Sequence, residues 1–233
     1  MRPLIAFLTR LSLTSAGQFI FSIWLAKNKI LCAELLWRAH RDQQVRNAWI
    51  NPRHHRTVQQ LKEFIQVDLA NTRRMHQIIA RHSWPGKTIV GPNGEQAAWL
   101  LIQHADHDPA FQKDCLALLE KTVKEDNSEN SLFAYLADRV RVNAGLPQIY
   151  GTQFRGNFQP FTIENEEQVD ERRIKAGLVP LAEYLDQVSR TWTNHYAEIL
   201  TETKQLLSQL PASEEYNAYV AQMKRLLDMT DST

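Results

Sequence analysis

Punctuation constrains this chain more than any other feature of it. Asn51-Pro52, Trp84-Pro85-Gly86, Gly91-Pro92-Asn93-Gly94, Asp108-Pro109, Gly145 with Pro147, Gly177 with Pro180, and Pro211 cut it into segments. Most of these segments repeat apolar residues every three to four positions, the spacing of one helix face. A residue before proline leaves the α region, so Asn51 ends one helix. Asp108 before Pro109 is a helix start, with a capping carboxylate and a proline at the first helical position. Gly145 with Pro147 beyond it is a helix stop.

Between these marks the chain reads as helices over 30–50, 57–82, 95–103, from 108 to about 124, over 132–144 and over 166–176, then a long one from Pro180 to about Leu210 and a last one over 213–229. In the first, Leu31, Leu35, Ala39 and Asp42 fall on one set of turns. In the second, Leu61, Phe64/Ile65, Asp68/Leu69, Thr72 and Met75 do the same. The composition agrees. The chain holds only eight glycines and nine prolines, and its polar runs are dense in strong helix formers.

One stretch changes period. Ile149–Phe154 and Phe158–Ile163 alternate around Arg155-Gly156-Asn157, which predicts a β-hairpin at about 148–163 packed on the helices. The expected fold is therefore mainly α. It comprises an N-terminal apolar or amphipathic segment (1–30), a core helical domain with the hairpin (31–188) and a C-terminal helical extension (189–233). Leu11–Ala26 is apolar but, at sixteen residues, short for a bilayer, and Arg10 interrupts a signal-like reading. An amphipathic docking helix ranks first there, a signal or anchor second, an unstructured extension third. The expected location is cytoplasmic, with membrane association or export through this segment as the alternative.

Residues 1–90 hold 14 Lys/Arg against 4 Asp/Glu, and residues 91–233 hold 13 against 22. The basic residues are scattered, so two oppositely charged halves packing on each other are favoured over a nucleic-acid surface. Cys32 and Cys115 lie in apolar helical patterns outside any CxxC spacing, which points to reduced, buried thiols.

The densest chemistry is Gln103-His104-Ala105-Asp106-His107-Asp108, at the end of an apolar helix. His104 there is a candidate general base, held in one tautomer by Asp106 or Asp138. The competing reading has it satisfying helix-terminal carbonyls. Asp138-Arg139 interrupts an apolar helix, so the carboxylate needs a partner. On the first predicted strand Tyr150 and Gln153 flank Gly151, a residue that marks close approach of a ligand or backbone. Asp170, Arg172 and Arg173 follow, with Arg172 a candidate anion contact. His107-Asp108, with His76 or His82 upstream and Asp138 downstream, invites comparison with metal-dependent HD phosphohydrolases. Asp108 reads better as a helix cap, however, and the sequence points to no metal or cofactor.

These pieces, in this order, resemble an uncharacterised bacterial family known only as a domain of unknown function. The resemblance runs over roughly 31–185. It rests on Asp42-Gln43 with Arg46, Trp84-Pro85, Ala97-Ala98-Trp99, Gln103-His104-Ala105-Asp106 with Phe111-Gln112, and Ala134-Tyr135-Leu136 with Asp138-Arg139-Val140. It continues through Gln148, Tyr150-Gly151-Thr152-Gln153, Val169-Asp170 with Arg172-Arg173, and Gly177-Leu178 with Pro180-Leu181. It implies a shared site without a reaction, drawn from His104, Asp106, Asp138, Arg139, Tyr150 and Gln153.

Two functions follow as expectations. One is a hydrolase or transferase working by acid/base chemistry. His104 would be its base, Asp106 or Asp138 the orienter, Arg139 or Arg172 the anion binder, and Gln103, Tyr150 and Gln153 further substrate contacts. The other is a non-catalytic module binding a small molecule or peptide. Nucleic acid is the less favoured partner, and residues 1–30 are the candidate peripheral membrane contact.

Overall fold

The computed structural model describes residues 26–51, 55–126, 131–155, 158–191 and 196–231. Nearly all of the N-terminal segment, and with it the choice between docking helix, signal and extension, lies outside the described residues. No described helix is long and apolar enough to cross a membrane.

Nine α-helices are described: α1 (Lys29–Ile50), α2 (Val58–His82), α3 (Lys87–Gln103), α4 (Pro109–Asp126), α5 (Ser131–Asn143), α6 (Val169–Lys175), α7 (Leu181–Thr191), α8 (Tyr196–Ser208) and α9 (Glu214–Asp231). A 3-10 turn, Glu166–Gln168, leads into α6. The punctuation places the helix ends well. Thr57 caps α2 through a reciprocal box with Gln60. Asp108 Oδ1 accepts from Phe111 N–H at 3.1 Å at the start of α4. In α3 the chain bends at Gly91 (φ 72°, ψ 170°), a conformation open to glycine and closed to most side chains, so the expected turn becomes a kink between two helical pieces. The long helix expected from Pro180 to Leu210 is described as α7 and α8, with residues 192–195 between them outside the described set.

The expected hairpin is not found. Among the described residues there is no strand, only isolated bridges pairing Gln148 with Ile163 and Phe154 with Pro160. The cause is competition for backbone hydrogen bonds. The buried Asp138 carboxylate accepts from the N–H groups of Ile149 (2.6 Å), Tyr150 (3.0 Å) and Thr152 (2.9 Å), and from the Thr152 hydroxyl (2.9 Å). The Gln148 side chain accepts from Gln153 N–H at 2.9 Å and donates to the carbonyls of Gln153 and Phe161. Donors that a ladder would use are therefore spent on two side chains, and Gly151 turns the segment with φ 68°.

Two large apolar clusters hold most of the helices, and a third, of Ile163, Val169 and Leu181, joins α6 and α7. The first joins α1, α3, α4 and α5 through residues such as Leu35, Leu36, Trp99, Leu101, Leu119 and Leu136. The second joins the C-terminal half of α1 and the start of α2 to α8 and α9, through Trp49, Leu61, Ile65, Ile199, Leu207 and Tyr219. The layer between these two is ionised, and it holds the site.

Candidate functional site

The buried face of α1 runs from Leu31 and Leu35 through Ala39 into Asp42, Val45 and Arg46, all on successive turns. The buried face of α2 passes through Asp68 in the same way. Each helix thus carries charge on its core side. His104 follows the last residue of α3, and its own N–H still bonds back to Leu100 O.

The His104 Nδ1–H donates to Asp42 Oδ2 at 2.7 Å. Arg46 Nε reaches both Asp42 oxygens at 3.2 Å, and its Nη2 donates to Asp68 Oδ1. Tyr219, from α9, donates its hydroxyl to Asp68 Oδ2 at 2.7 Å. All five side chains are buried. Burial pushes the Asp42 carboxyl up, but Arg46 and His104 outweigh this and hold it at about 2. Burial, helped by the Arg46 charge, pushes His104 down to about 4 against the pull of Asp42. At Asp68 burial wins over Arg46, and the carboxyl rises to about 7.

An ionised Asp42 only accepts, so the proton on His104 sits on Nδ1 and the lone pair on Nε2. Among the described residues Nε2 has no hydrogen-bond partner, and neither has Arg46 Nη1. Neither atom is a fully buried orphan, so both open onto the cavity that their residues line.

A second ionic group adjoins the first. Arg139 of α5 grips Asp106 with Nε (2.8 Å) and Nη2 (2.6 Å), while its Nη1 donates to Gln153 Oε1 at 2.8 Å. Gln112 and Asn143 also donate to Asp106 Oδ1, each at 3.2 Å. Burial pushes Asp106 up, but the charge and hydrogen bonds of Arg139 prevail and hold it below the usual carboxylate range.

These groups form the floor of a partly enclosed cavity of about 190 Å³. Its walls are mostly apolar, with Trp49 and Phe64 from α1 and α2, Phe154 and Phe161 from the loop, and α8 and α9 closing it with Leu207 and Met223. His104, Asp106, Arg139 and Gln153 all line it. Asp138, Tyr150, Arg172 and Gln103 do not. Asp138 and the backbone of Tyr150 secure the loop. Arg172 donates to the carbonyls of Ile149, Glu164 and Asn165. Gln103 is fully buried, with neither amide atom bonded among the described residues. The partner that orients His104 is Asp42, while Asp106 is held by Arg139 and Asp138 by the loop.

Asp42, Arg46 and Asp68 carry the site without having been singled out for it. Their signal was present, since each falls on an apolar helical stripe where an ionised side chain needs a partner. Tyr219 carried no comparable signal. Asp108, the aspartate of the HD pair, caps α4 and meets His76 Nε2 at 2.8 Å. Among the described residues no group of three or more His, Cys, Asp or Glu is placed to hold a metal ion.

Fold and site together define a helical protein with an ionic floor beneath an apolar cavity. The chain belongs to the Family of unknown function (DUF6624), whose model matches residues 27–210, in agreement with the resemblance read from the sequence. Helix α9 lies beyond the matched residues. Neither the curated proteins nor the solved structures contain a match to the chain.

Proposed function

We propose that the chain is an acid/base enzyme, a hydrolase or transferase, in which His104 takes the proton, Asp42 orients it and Arg46 Nη1 donates to the substrate. The Asp42–His104 contact of 2.7 Å, with the second ring nitrogen free toward the cavity, carries this reading. Held down to about 4, His104 is neutral at physiological pH and keeps its lone pair available.

The cavity offers no free nucleophile among its described lining residues. The Thr203 hydroxyl donates to Ile199 O and accepts from Trp49 Nε1, and that of Thr152 is held by Asp138. Neither Cys32 nor Cys115 lines it, and burial pushes both thiols up. Direct attack therefore fits better than a covalent intermediate. His104 Nε2 removes a proton from water, or from an acceptor hydroxyl, as the oxygen bonds to an electrophilic carbonyl carbon. The bond to the leaving group then breaks, and His104 returns the proton to that group. While the ring carries the proton, the Asp42 carboxylate lies against it and offsets the charge.

A panel of uncharged esters and anilides tests this, with folding followed by circular dichroism. The wild-type chain turns over at least one class, and His104→Gln lowers the rate by about a hundredfold or more. Equal rates in the folded variant overturn the proposal. A non-catalytic binding pocket is the second reading, favoured by how far His104 is depressed as a base. Saturable binding without turnover across the panel selects it.

A further inference from the structure

The walls and the floor of the cavity make different demands, and together they restrict the ligand. Apolar cavities of about 150 Å³ accept a single benzene ring, so about 190 Å³ holds roughly six to eight carbon atoms. The walls that would surround such a body are aliphatic and aromatic. Leu207 comes from α8, and Met223, Leu226 and Leu227 come from α9.

The floor decides the head group. It sets two guanidinium groups, Arg46 and Arg139, against three carboxylates, Asp42, Asp68 and Asp106. Every nitrogen of Arg139 is engaged, on Asp106 and Gln153. Arg46 lies between two carboxylates. An anionic head would find no uncompensated cation there and would lose its hydration on entry. A cationic head fares no better. Asp68 already accepts from Arg46 and Tyr219, and Asp106 accepts from Arg139, Gln112 and Asn143. Among the described floor groups Asn143 Oδ1 carries no hydrogen bond, and Arg46 Nη1 and His104 Nε2 are an open donor and an open acceptor. That pair matches a head presenting a carbonyl oxygen together with an N–H or O–H.

We infer that the cavity binds a small uncharged amphiphile of the carboxamide type, its head on Arg46 and His104 and its apolar body of roughly six to eight carbons against α8 and α9. The inference deepens the enzymatic reading and rests on the same site, but it makes a claim about binding that turnover does not decide. Because α9 lies beyond the residues matched by the family, the charged groups of the floor belong to the family segment, while Tyr219 and much of the apolar wall come from outside it.

Calorimetric titration with defined probes tests it on the full chain. Hexanamide, hexylamine and hexanoate share a tail and differ in head charge, and hexanamide binds tightest, by about tenfold or more over hexanoate. Lengthening the amide from butanamide to octanamide tightens binding by about fourfold per CH2, and dodecanamide gains nothing further. Met223→Trp, which fills the cavity, weakens octanamide by about tenfold. Should that variant fail to fold, Leu207→Ala enlarges the wall instead and moves the preferred length upward. Tightest binding of hexanoate or hexylamine overturns the inference, as does affinity independent of tail length. Amide binding without turnover leaves the inference standing and defeats catalysis. Turnover by a chain that prefers hexanoate does the reverse.

Discussion

The ionised layer makes a prediction about acid stability in which two groups oppose each other. His104 is depressed in the folded chain from 6.5 to about 4, so its contribution is present above pH 6.5 and is lost as the pH falls toward 4. Asp68 is raised from 3.8 to about 7, so its contribution is present below 3.8 and is lost as the pH rises through 7. At about 1.4 kcal/mol per unit, the first is worth about 3 kcal/mol and the second about 4 kcal/mol. Between pH 4 and 6.5 the unfolded chain carries a proton on His104 that the folded chain lacks, while the folded chain carries one on Asp68 that the unfolded chain lacks. Proton counts match, and the two slopes cancel.

Asp68→Asn removes one side of this balance. The wild-type contribution of these two groups stays flat across the window, whereas the variant loses about 3 kcal/mol of stability as the pH falls from 6.5 to 4. Urea unfolding at a series of pH values, followed by circular dichroism, measures this as a fall in midpoint for the variant alone. His104→Gln gives the opposite sign, gaining stability relative to wild type on acidification. Parallel curves for wild type and Asp68→Asn would refute the reasoning, because they would mean that Asp68 titrates alike in both states.

The loop offers two further tests. Asp138→Ala strips the acceptor from the N–H groups of Ile149, Tyr150 and Thr152 and should cost about 3–5 kcal/mol. Amide exchange at those residues should accelerate, and a loss under about 1 kcal/mol would show that the carboxylate does not hold the loop. Gly151→Ala places a Cβ at 2.9 Å from Leu181 Cδ1 and 3.0 Å from Ile163 Cδ1, at a residue with φ 68°. It should lower stability by about 1–3 kcal/mol in thermal melts, and an unchanged midpoint would contradict the close packing described.

Most helices were legible in the sequence because their signals are local. Asp108-Pro109 and Gly145 each act within a turn of where they stand, so those boundaries could be read residue by residue, whereas the turn signal at Gly91–Gly94 lies inside α3 and hid its start at Lys87. The hairpin was not legible, because what replaces it acts from a distance. Alternation through Tyr150, Thr152 and Phe154 suits a strand, yet Asp138 takes the backbone donors from eleven to fourteen positions upstream. The polar lining of the cavity was legible in half. His104, Asp106, Arg139 and Gln153 stood out by type and setting. The periodicity put Asp42 on the core face of α1, but a face does not name a partner, and Asp42 lies 62 positions from His104. The role of α9 was hidden more deeply, since Tyr219 and Met223 lie in a segment read only as the last helix of a C-terminal extension.

A core does not need such a layer for stability. Aliphatic residues at 42, 46 and 68 would continue the stripes of α1 and α2 and join the two large apolar clusters, and replacing buried ion networks with packed side chains is often neutral or stabilising. The network must therefore be understood through what it leaves open. Arg46 spends Nε and Nη2 on carboxylates, which fixes the guanidinium and leaves Nη1 for the cavity. Asp42 spends one oxygen on His104, which fixes the ring and leaves Nε2. Asp68 and Tyr219 fasten the same arginine to α9, the helix that supplies much of the apolar wall. One carboxylate thus positions the imidazole and the other links the polar floor to the apolar wall. A ligand touching both would sense head and tail through a single guanidinium.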